Sequence, residues 1–392
     1  MRPSIVIIGH GFTSKLGVIR AVAPADADIC VVWKERNKPI DCSSKYVKKE
    51  LCCKGDDPKK LVTCLQSDCI DKGQKTILIP VNDNSASAID QNIDVLKDHF
   101  LFPHIHMRQG AVTEWMNKEK QKAVAKSVGL NVANSNNVEI KDGEYHLPEG
   151  ITYPCFTKTR EYRSRYKHTL HRCEDEKELR KVLDELKEMF HNITIMVEDF
   201  KEIETEYAVV GVSCEKEVII PGVIEITKMA QGADRGVACQ GKIMPVKGFE
   251  DLVEKFKKVM LAIGFTGIFD IDFYKSKGEY YFGELNLRIG GSGYAVQRMG
   301  VNLPLMFVKS MLGEPIDDLD KEIKETATFL NERICLENWY AGYFTTREFK
   351  KMLKSADFGF VHDEEDPAPE KAFKRYFFYK RIQRGINMLL HK

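Results

Sequence analysis

The sequence predicts a mixed chain, with an α/β domain at its N-terminal end followed by α+β structure. Three observations carry this. Short apolar runs alternate with amphipathic stretches over about residues 1–110, the pattern of strands joined by helical crossovers. From about residue 137 onward, short segments rich in Val, Ile, Tyr and Thr succeed one another, as antiparallel strands do. Finally, residues 267–274 and 279–285 read as two strands joined by the turn Lys275-Ser276-Lys277-Gly278.

Taken in order, Ile5-Val6-Ile7-Ile8 is an apolar run ending at Gly9-His10-Gly11, the form of a buried parallel strand. Residues 14–23 read as a helix, 28–33 as a second strand and 76–81 as another, then Asn82-Asp83-Asn84 and a helix from 86 to about 99. Residues 114–129 read as one amphipathic helix, with Trp115, Ala123, Val124 and Val128 on or near one face and Gly129 as its stop. Strands are expected at 137–140, 153–158 and 194–200, with a charged helix at 174–190. Antiparallel strands at 207–212 and 218–226 precede a helix at 249–263 closed by Gly264. After Gly290-Gly291-Ser292-Gly293 the chain is helical again around 303–311. The expected divisions are 1–110, 111–200, 201–345 and a C-terminal basic amphipathic extension, 346–392.

Composition narrows the function. The 392 residues carry 59 Lys+Arg against 58 Asp+Glu, a net charge of +1. A general nucleic-acid binder needs a basic face to neutralise phosphates, so nucleic acid is not an expected partner. No apolar run approaches the roughly 18 residues of a spanning helix. The apolar run at residues 5–8 is too short for a signal peptide. Eleven scattered cysteines without a Cys-x-x-Cys read as free thiols in a reducing compartment. The expected setting is therefore cytoplasmic, and a homodimer is the base-rate expectation for assembly.

Chemistry concentrates in Gly267-Ile268-Phe269-Asp270-Ile271-Asp272-Phe273 and in Glu284-Leu285-Asn286-Leu287-Arg288. Side chains alternate along a strand, so Asp270 and Asp272 share one face, as do Glu284 and Asn286. A hairpin of the two strands is expected to gather these oxygens on one side. Hard oxygen donors on rigid strands suit Mg²⁺, and Arg288, two residues on, suits a phosphoryl group or a carboxylate. The alternative is a wet sheet face without function.

These residues resemble the E-x-N-P-R signature of the ATP-grasp superfamily, with Leu287 where proline is usual. Asp272 resembles the acidic residue of the preceding strand. Upstream, in the expected order, Asn117-Lys118 resembles the first ATP lysine, Phe156-Thr157-Lys158 the second, Met196-Val197-Glu198-Asp199-Phe200 the adenine hinge and Glu204-Thr205-Glu206-Tyr207 the ribose segment. The resemblance covers about residues 110–315. Gly9-x-Gly11, Gly17, Arg20, Ser43-Ser44-Lys45-Tyr46 and residues 79–84 resemble the Rossmann-like pre-ATP-grasp domain of carboxylate–amine ligases, the D-aspartate ligase type among them.

The resemblance implies an ATP-grasp architecture: the pre-ATP-grasp domain at 1–110, a small lobe at 111–200 and a large lobe with the metal site at 201–345. It implies a ligase that joins a small-molecule carboxylate to an amine through an acyl phosphate. ATP would be held by Lys118, Lys158, Glu198, Asp199, Phe200 and Glu206. Two Mg²⁺, or Mn²⁺ in their place, would be held by Asp272, Glu284 and Asn286. Arg288 would act on the transferred group. Apart from the resemblance, the loop at 228–236 holds two glycines and the cations Lys228 and Arg235, candidates for a catalytic lid over the γ-phosphate, with an ordinary surface loop as the alternative. Alternatives are a bicarbonate-activating enzyme, of the carbamoyl-phosphate-synthase or biotin-carboxylase kind, and a non-catalytic nucleotide-binding scaffold.

Where the family has a glycine-rich flap, residues 159–168 are a basic stretch without glycine, in which Arg163, Arg165 and Lys167 are candidates to reach phosphates or an acidic substrate, with a solvated surface loop as the alternative. Gly9-His10-Gly11 is a partial dinucleotide fingerprint with Ser14 at the third glycine, which argues against NAD. His10, His104, His106 and His362 lack spaced partners. In the tail, Phe373, Phe377, Ile382, Ile386, Leu389 and Leu390 approximate one helical stripe among basic residues. Residues 371–392 are expected to dock on protein, with an anionic membrane surface as the alternative.

Overall fold

The computed structural model describes residues 2–33, 40–53, 58–71, 73–159, 169–214, 217–232 and 236–390, with side chains through 383. The chain divides into two compact units. One comprises Met1–Thr113, Tyr207–Ile271 and Asn286–Lys392; the other comprises Glu114–Glu206 and Asp272–Leu285.

In the larger unit, a five-stranded parallel sheet begins with Ser4–Ile8, which pairs with Asp28–Trp33 on one side and Thr76–Pro80 on the other. Ile5, Ile7 and Ile8 are completely buried, as a strand covered on both faces requires. The helix expected from 86 to 99 is two helices, Asp83–Asp90 and Ile93–Leu96. Asn82 caps the first by accepting from Ser85 N at 2.9 Å. The Asn92 side-chain amide donates to Ala88 O, the local competition by which asparagine interrupts a helix.

From Tyr207 onward the strand Thr205–Cys214 belongs to the same unit, with the strands Val223–Met229 and Ala238–Met244 of an antiparallel sheet, which the first part of Phe265–Ser276 joins. The single strand expected at 218–226 is instead Glu217–Ile219 and Val223–Met229. Pro221 between them has no N–H to give a ladder. One apolar cluster runs through Ile5, Val18, Val210, Ile268, Tyr294 and Phe360. That shared core is why the segments expected as three separate divisions pack as one unit.

The C-terminal helix, Pro367–Leu390, is docked over its first half. Phe373 stacks on Phe12, and Phe377 stacks on Trp339 and Phe349. Lys380 pairs with Glu337 at 3.3 Å. The opposite face presents Phe378, 64 % exposed, with Tyr379 and Ile382. The side chains of Arg384, Ile386, Leu389 and Leu390 lie outside the described residues. Arg20 is buried too: its Nε donates to Asp366 Oδ2 at 3.1 Å and its Nη atoms donate to the Phe360 and Val361 carbonyls. It ties the first helix to the C-terminal segment. No helix among the described residues is long and apolar enough to cross a membrane.

In the smaller unit, an antiparallel sheet of order His171–Cys173, Cys155–Thr159, Asn192–Asp199, Ser135–Lys141, Glu144–Tyr145 packs on the helix Glu176–Met189. Leu179, Leu183 and Leu186 supply that helix's buried stripe, and Asp175 caps it through Glu178 N. The long helix expected at 114–129 is the short Ala111–Glu114 followed by a separate helix, Lys118–Ser127. Asn117 starts the second, its side-chain oxygen accepting from Glu119 N and Lys120 N; an N-cap needs non-helical backbone, which breaks the continuous pattern.

Candidate functional site

In the smaller unit, four elements bring charged side chains together. The helix Lys118–Ser127 presents Lys118 and Lys122, one turn apart on one face. The strand Cys155–Thr159 carries Lys158, and its neighbour Asn192–Asp199 carries Glu198. Glu284 lies near the end of Glu279–Asn286.

Glu198 binds two lysines. Its Oε1 accepts from Lys122 Nζ and its Oε2 pairs with Lys158 Nζ, both at 2.7 Å. Burial works to raise the Glu198 carboxyl, yet Lys158 and Lys122 overcome it and hold it below the usual carboxylate range. Burial pushes the Lys158 ammonium down, and Lys118 and Lys122 add to this against the pull of Glu198. Lys118 Nζ is 3.5 Å from Glu284 Oε1. Among the described residues, these ion pairs set three lysines against two carboxylates, a surplus of positive charge that favours an anion.

Glu198, expected with nearby backbone at the adenine edge, has its carboxylate engaged by two lysines. Lys122, which is buried and also donates to Ser135 Oγ at 3.0 Å, was not anticipated. Its spacing of four from Lys118 was the available signal. The segment after Glu198 is braced: Asp199 N donates to Asn134 O, Phe200 N to Pro154 O, and Asn134 Nδ2 to Asp199 Oδ2 at 3.0 Å. Arg172 lies over the Phe200 ring at 4.2 Å. Glu206 is half-buried, and burial raises its carboxyl. Glu204 is structural, accepting from Gly278 N at the hairpin turn.

The expected metal residues are less uniform than alternation implies. Lys277 and Gly278 are both left-handed, φ 49° and 82°, so the turn has two residues rather than four. Tyr274 stacks on Tyr281. In keeping with that register, a Cβ on Gly283 would lie 2.9 Å from Asp272 O. Gly283, not Glu284, therefore stands across from Asp272. Asp272 is exposed, whereas Asp270 is only 6 % exposed. A side chain on Gly290 would meet the Asp270 carboxylate, so the glycine-rich turn after Arg288 covers Asp270. The two aspartates do not share an open face.

In the larger unit, Arg288 donates from Nε and Nη2 to Asp83 at 3.1 and 3.3 Å, and from Nη2 to Asn286 Oδ1 at 3.2 Å. Asp83 follows the cap residue Asn82, whose side chain lies 2.6 Å from His10 Nδ1. A Cβ on Gly9 would come within 2.9 Å of that Asn82 amide, which accounts for the glycine by close approach rather than by dinucleotide binding. Lys228 was expected on a loop. It lies instead on the strand Val223–Met229, at a register shift, with its ammonium 5.0 Å from the Phe344 ring centroid. Arg235, and Arg163, Arg165 and Lys167 of the basic stretch, lie outside the described residues.

Residues 123–300 match the ATP-grasp domain. Over 151 residues, 37 % of the chain, the sequence is 28 % identical to the carbamoyl phosphate synthase large chain of Clostridium perfringens (strain SM101 / Type A), and the match spans 14 % of that relative's length. Among solved structures, N5-carboxyaminoimidazole synthetase from Staphylococcus aureus complexed with ADP is similar at TM-score 0.63 and 17 % identity, over 88 % of this chain and 87 % of that one. L-amino acid ligase from Bacillus licheniformis is similar at TM-score 0.62 and 15 % identity, over 83 % and 79 %. Residues 123–300 thus match an ATP-grasp domain, and the mixed α/β architecture is the fold of these solved structures.

Proposed function

We propose that this protein is an ATP- and Mg²⁺-dependent ligase that joins a carboxylic acid to an amine and releases ADP and phosphate. One observation carries the reading: Lys118, Lys122 and Lys158 converge with fewer carboxylates than they need, and burial weakens the charge of Lys158. A polyphosphate supplies the missing negative charge.

The chemistry follows from the residues. A carboxylate oxygen of the acid attacks the terminal phosphorus of ATP, and the bond to ADP breaks. The amine nitrogen then attacks the acyl carbon, inorganic phosphate leaves, and the nitrogen gives up a proton. Neither step needs a protein nucleophile, so the protein's task is positioning and charge neutralisation. Lys118 and Lys158 bind phosphate oxygens, with Glu198 and Lys122 fixing Lys158. Hinge backbone at Glu198, Asp199 and Phe200 meets adenine, and Glu206 accepts from ribose hydroxyls. Arg288, fixed by Asp83, is the residue assigned to stabilise the phosphoryl or acyl phosphate charge.

Glu284, Asn286 and Asp272 fit a hard cation: they offer oxygen donors only, and Lys118 already sets positive charge 3.5 Å from Glu284. These three would hold Mg²⁺, which when bound neutralises phosphate oxygens. Lys228 is a further candidate for contacting substrate.

A second reading takes bicarbonate as the acid. The sequence match to a carbamoyl phosphate synthase large chain favours it. The test is ADP formation with pooled amino acids and with bicarbonate, using hydroxylamine as the amine. Hydroxamate with an amino-acid pool supports the ligase. ADP with bicarbonate alone supports the second reading. Nucleotide binding without ADP under any condition points to a scaffold and contradicts both.

A further inference from the structure

Gln121 lies on the helix Lys118–Ser127, one turn beyond Lys118, and is 2 % exposed. Its Oε1 accepts from Leu285 N at 3.0 Å, and its Nε2 donates to Leu285 O at 2.8 Å and to Trp115 O at 2.8 Å. Rotating the amide by half a turn would set N–H against N–H and carbonyl against carbonyl, so the three bonds fix its orientation.

The position of Leu285 gives these bonds their interest. It separates Glu284 from Asn286. Along this edge the strand Glu279–Asn286 pairs with Asn131–Val132 at Tyr281 and Phe282. Three residues beyond that pairing, the Gln121 amide takes the part of a neighbouring peptide: it accepts from one residue's N–H and donates to the same residue's carbonyl, as a strand would. From the same helix, Lys118 meets the Glu284 carboxylate. One helix turn therefore holds both the charge and the backbone of this segment. An apolar side chain of similar length would fill the space but would leave Leu285 free to shift.

We infer that Gln121 is a positioning residue, one that sets the metal-binding oxygens of Glu284 and Asn286 by clamping the peptide between them. The inference rests on the ATP and Mg²⁺ reading above. Outer-shell partners of metal ligands, when lost, weaken metal affinity by roughly 10–100-fold.

The test uses the full chain and two probes, Mn²⁺ with ATP followed by electron paramagnetic resonance, and ATP in EDTA followed by calorimetry. Gln121→Met removes all three bonds with little change in volume. Its expected effect is about a tenfold loss of Mn²⁺ affinity in the presence of ATP, with metal-free ATP affinity changed less than twofold. Gln121→Asn, whose amide is one methylene short, shows the same direction and serves if the methionine variant does not fold. Wild-type Mn²⁺ affinity in both variants overturns the inference. So does an equal loss of ATP affinity with and without metal, which marks a merely structural residue. Failure of the unaltered protein to bind Mn²⁺ with ATP is a different result: it removes the ligase reading itself, and the clamp's role with it.

Discussion

Asp83 grips Arg288 with both carboxylate oxygens, at 3.1 and 3.3 Å. The guanidinium's further bond to Asn286 Oδ1 makes a chain of three residues drawn from the N-terminal sheet region and the Glu-x-Asn-x-Arg segment. Two parallel N–H···O bonds hold a guanidinium plane more firmly than one. Asp83→Asn keeps the shape and removes the charge. Its expected cost is about tenfold in kcat/KM, close to 1.4 kcal/mol. Arg288→Ala is expected to cost about 10²–10³-fold in kcat. Steady-state ADP release measures both, and an Asp83→Asn enzyme equal to the wild type removes Asp83 from the account.

Lys158 and Glu198 supply the next expectation. On the proposed function Lys158→Ala removes a phosphate partner and is expected to raise the KM for ATP at least about tenfold. Glu198→Gln leaves Lys122 and Lys158 without their shared counter-charge. Breaking a buried pair on one side costs about 3–5 kcal/mol, so urea denaturation should show this variant less stable than Lys158→Ala.

Proton linkage gives a test that needs no turnover. Burial lowers the Lys158 ammonium below the ordinary lysine value of 10.5. Between that lowered value and 10.5 the unfolded chain holds a proton that the folded one has lost, so this group's contribution makes stability rise with pH there. A bound polyphosphate raises Lys158 again, so ATP binding in this alkaline window takes up protons. Calorimetry in buffers of different ionisation enthalpy reads the uptake, which should vanish in Lys158→Ala. Glu198 has the same sense at a lower pH: its carboxyl is held below 4.5, so its stabilisation is complete above 4.5 and fades as pH falls through its lowered value.

The C-terminal helix separates packing from surface. Phe373 is 8 % exposed and stacked on Phe12, so Phe373→Ala is expected to cost about 3 kcal/mol. Phe378→Ala should lie within about 0.5 kcal/mol of wild type. Denaturant melts compare the two. Phe373→Ala matching wild type in stability would sink the docked-helix description. Vesicle pelleting of the full chain against a truncation before Lys371 checks the membrane alternative, and equal pelleting ends it.

Much of this was legible in the residues. The buried run Ile5–Ile8, the Glu284-x-Asn286-x-Arg288 triplet and the lysines at 118 and 158 are local patterns, and local patterns survive in a single sequence. Three things were not legible. The break before Lys118 depends on whether Asn117 caps or continues a helix, which tertiary context decides. The difference between Asp270 and Asp272 depends on Gly290, whose turn covers only one of them. The roles of Gln121 and Asp83 depend on partners more than 160 residues away in sequence, |i−j| 164 and 205, and periodicity carries no information over that distance.

The central claim is that ATP phosphorylates a carboxylate here. Isotope transfer tests it most directly. With an acid carrying ¹⁸O in its carboxylate, turnover through an acyl phosphate delivers one labelled oxygen to each phosphate released, and that is the predicted result. Phosphate released in step with product, yet free of label, would contradict the account.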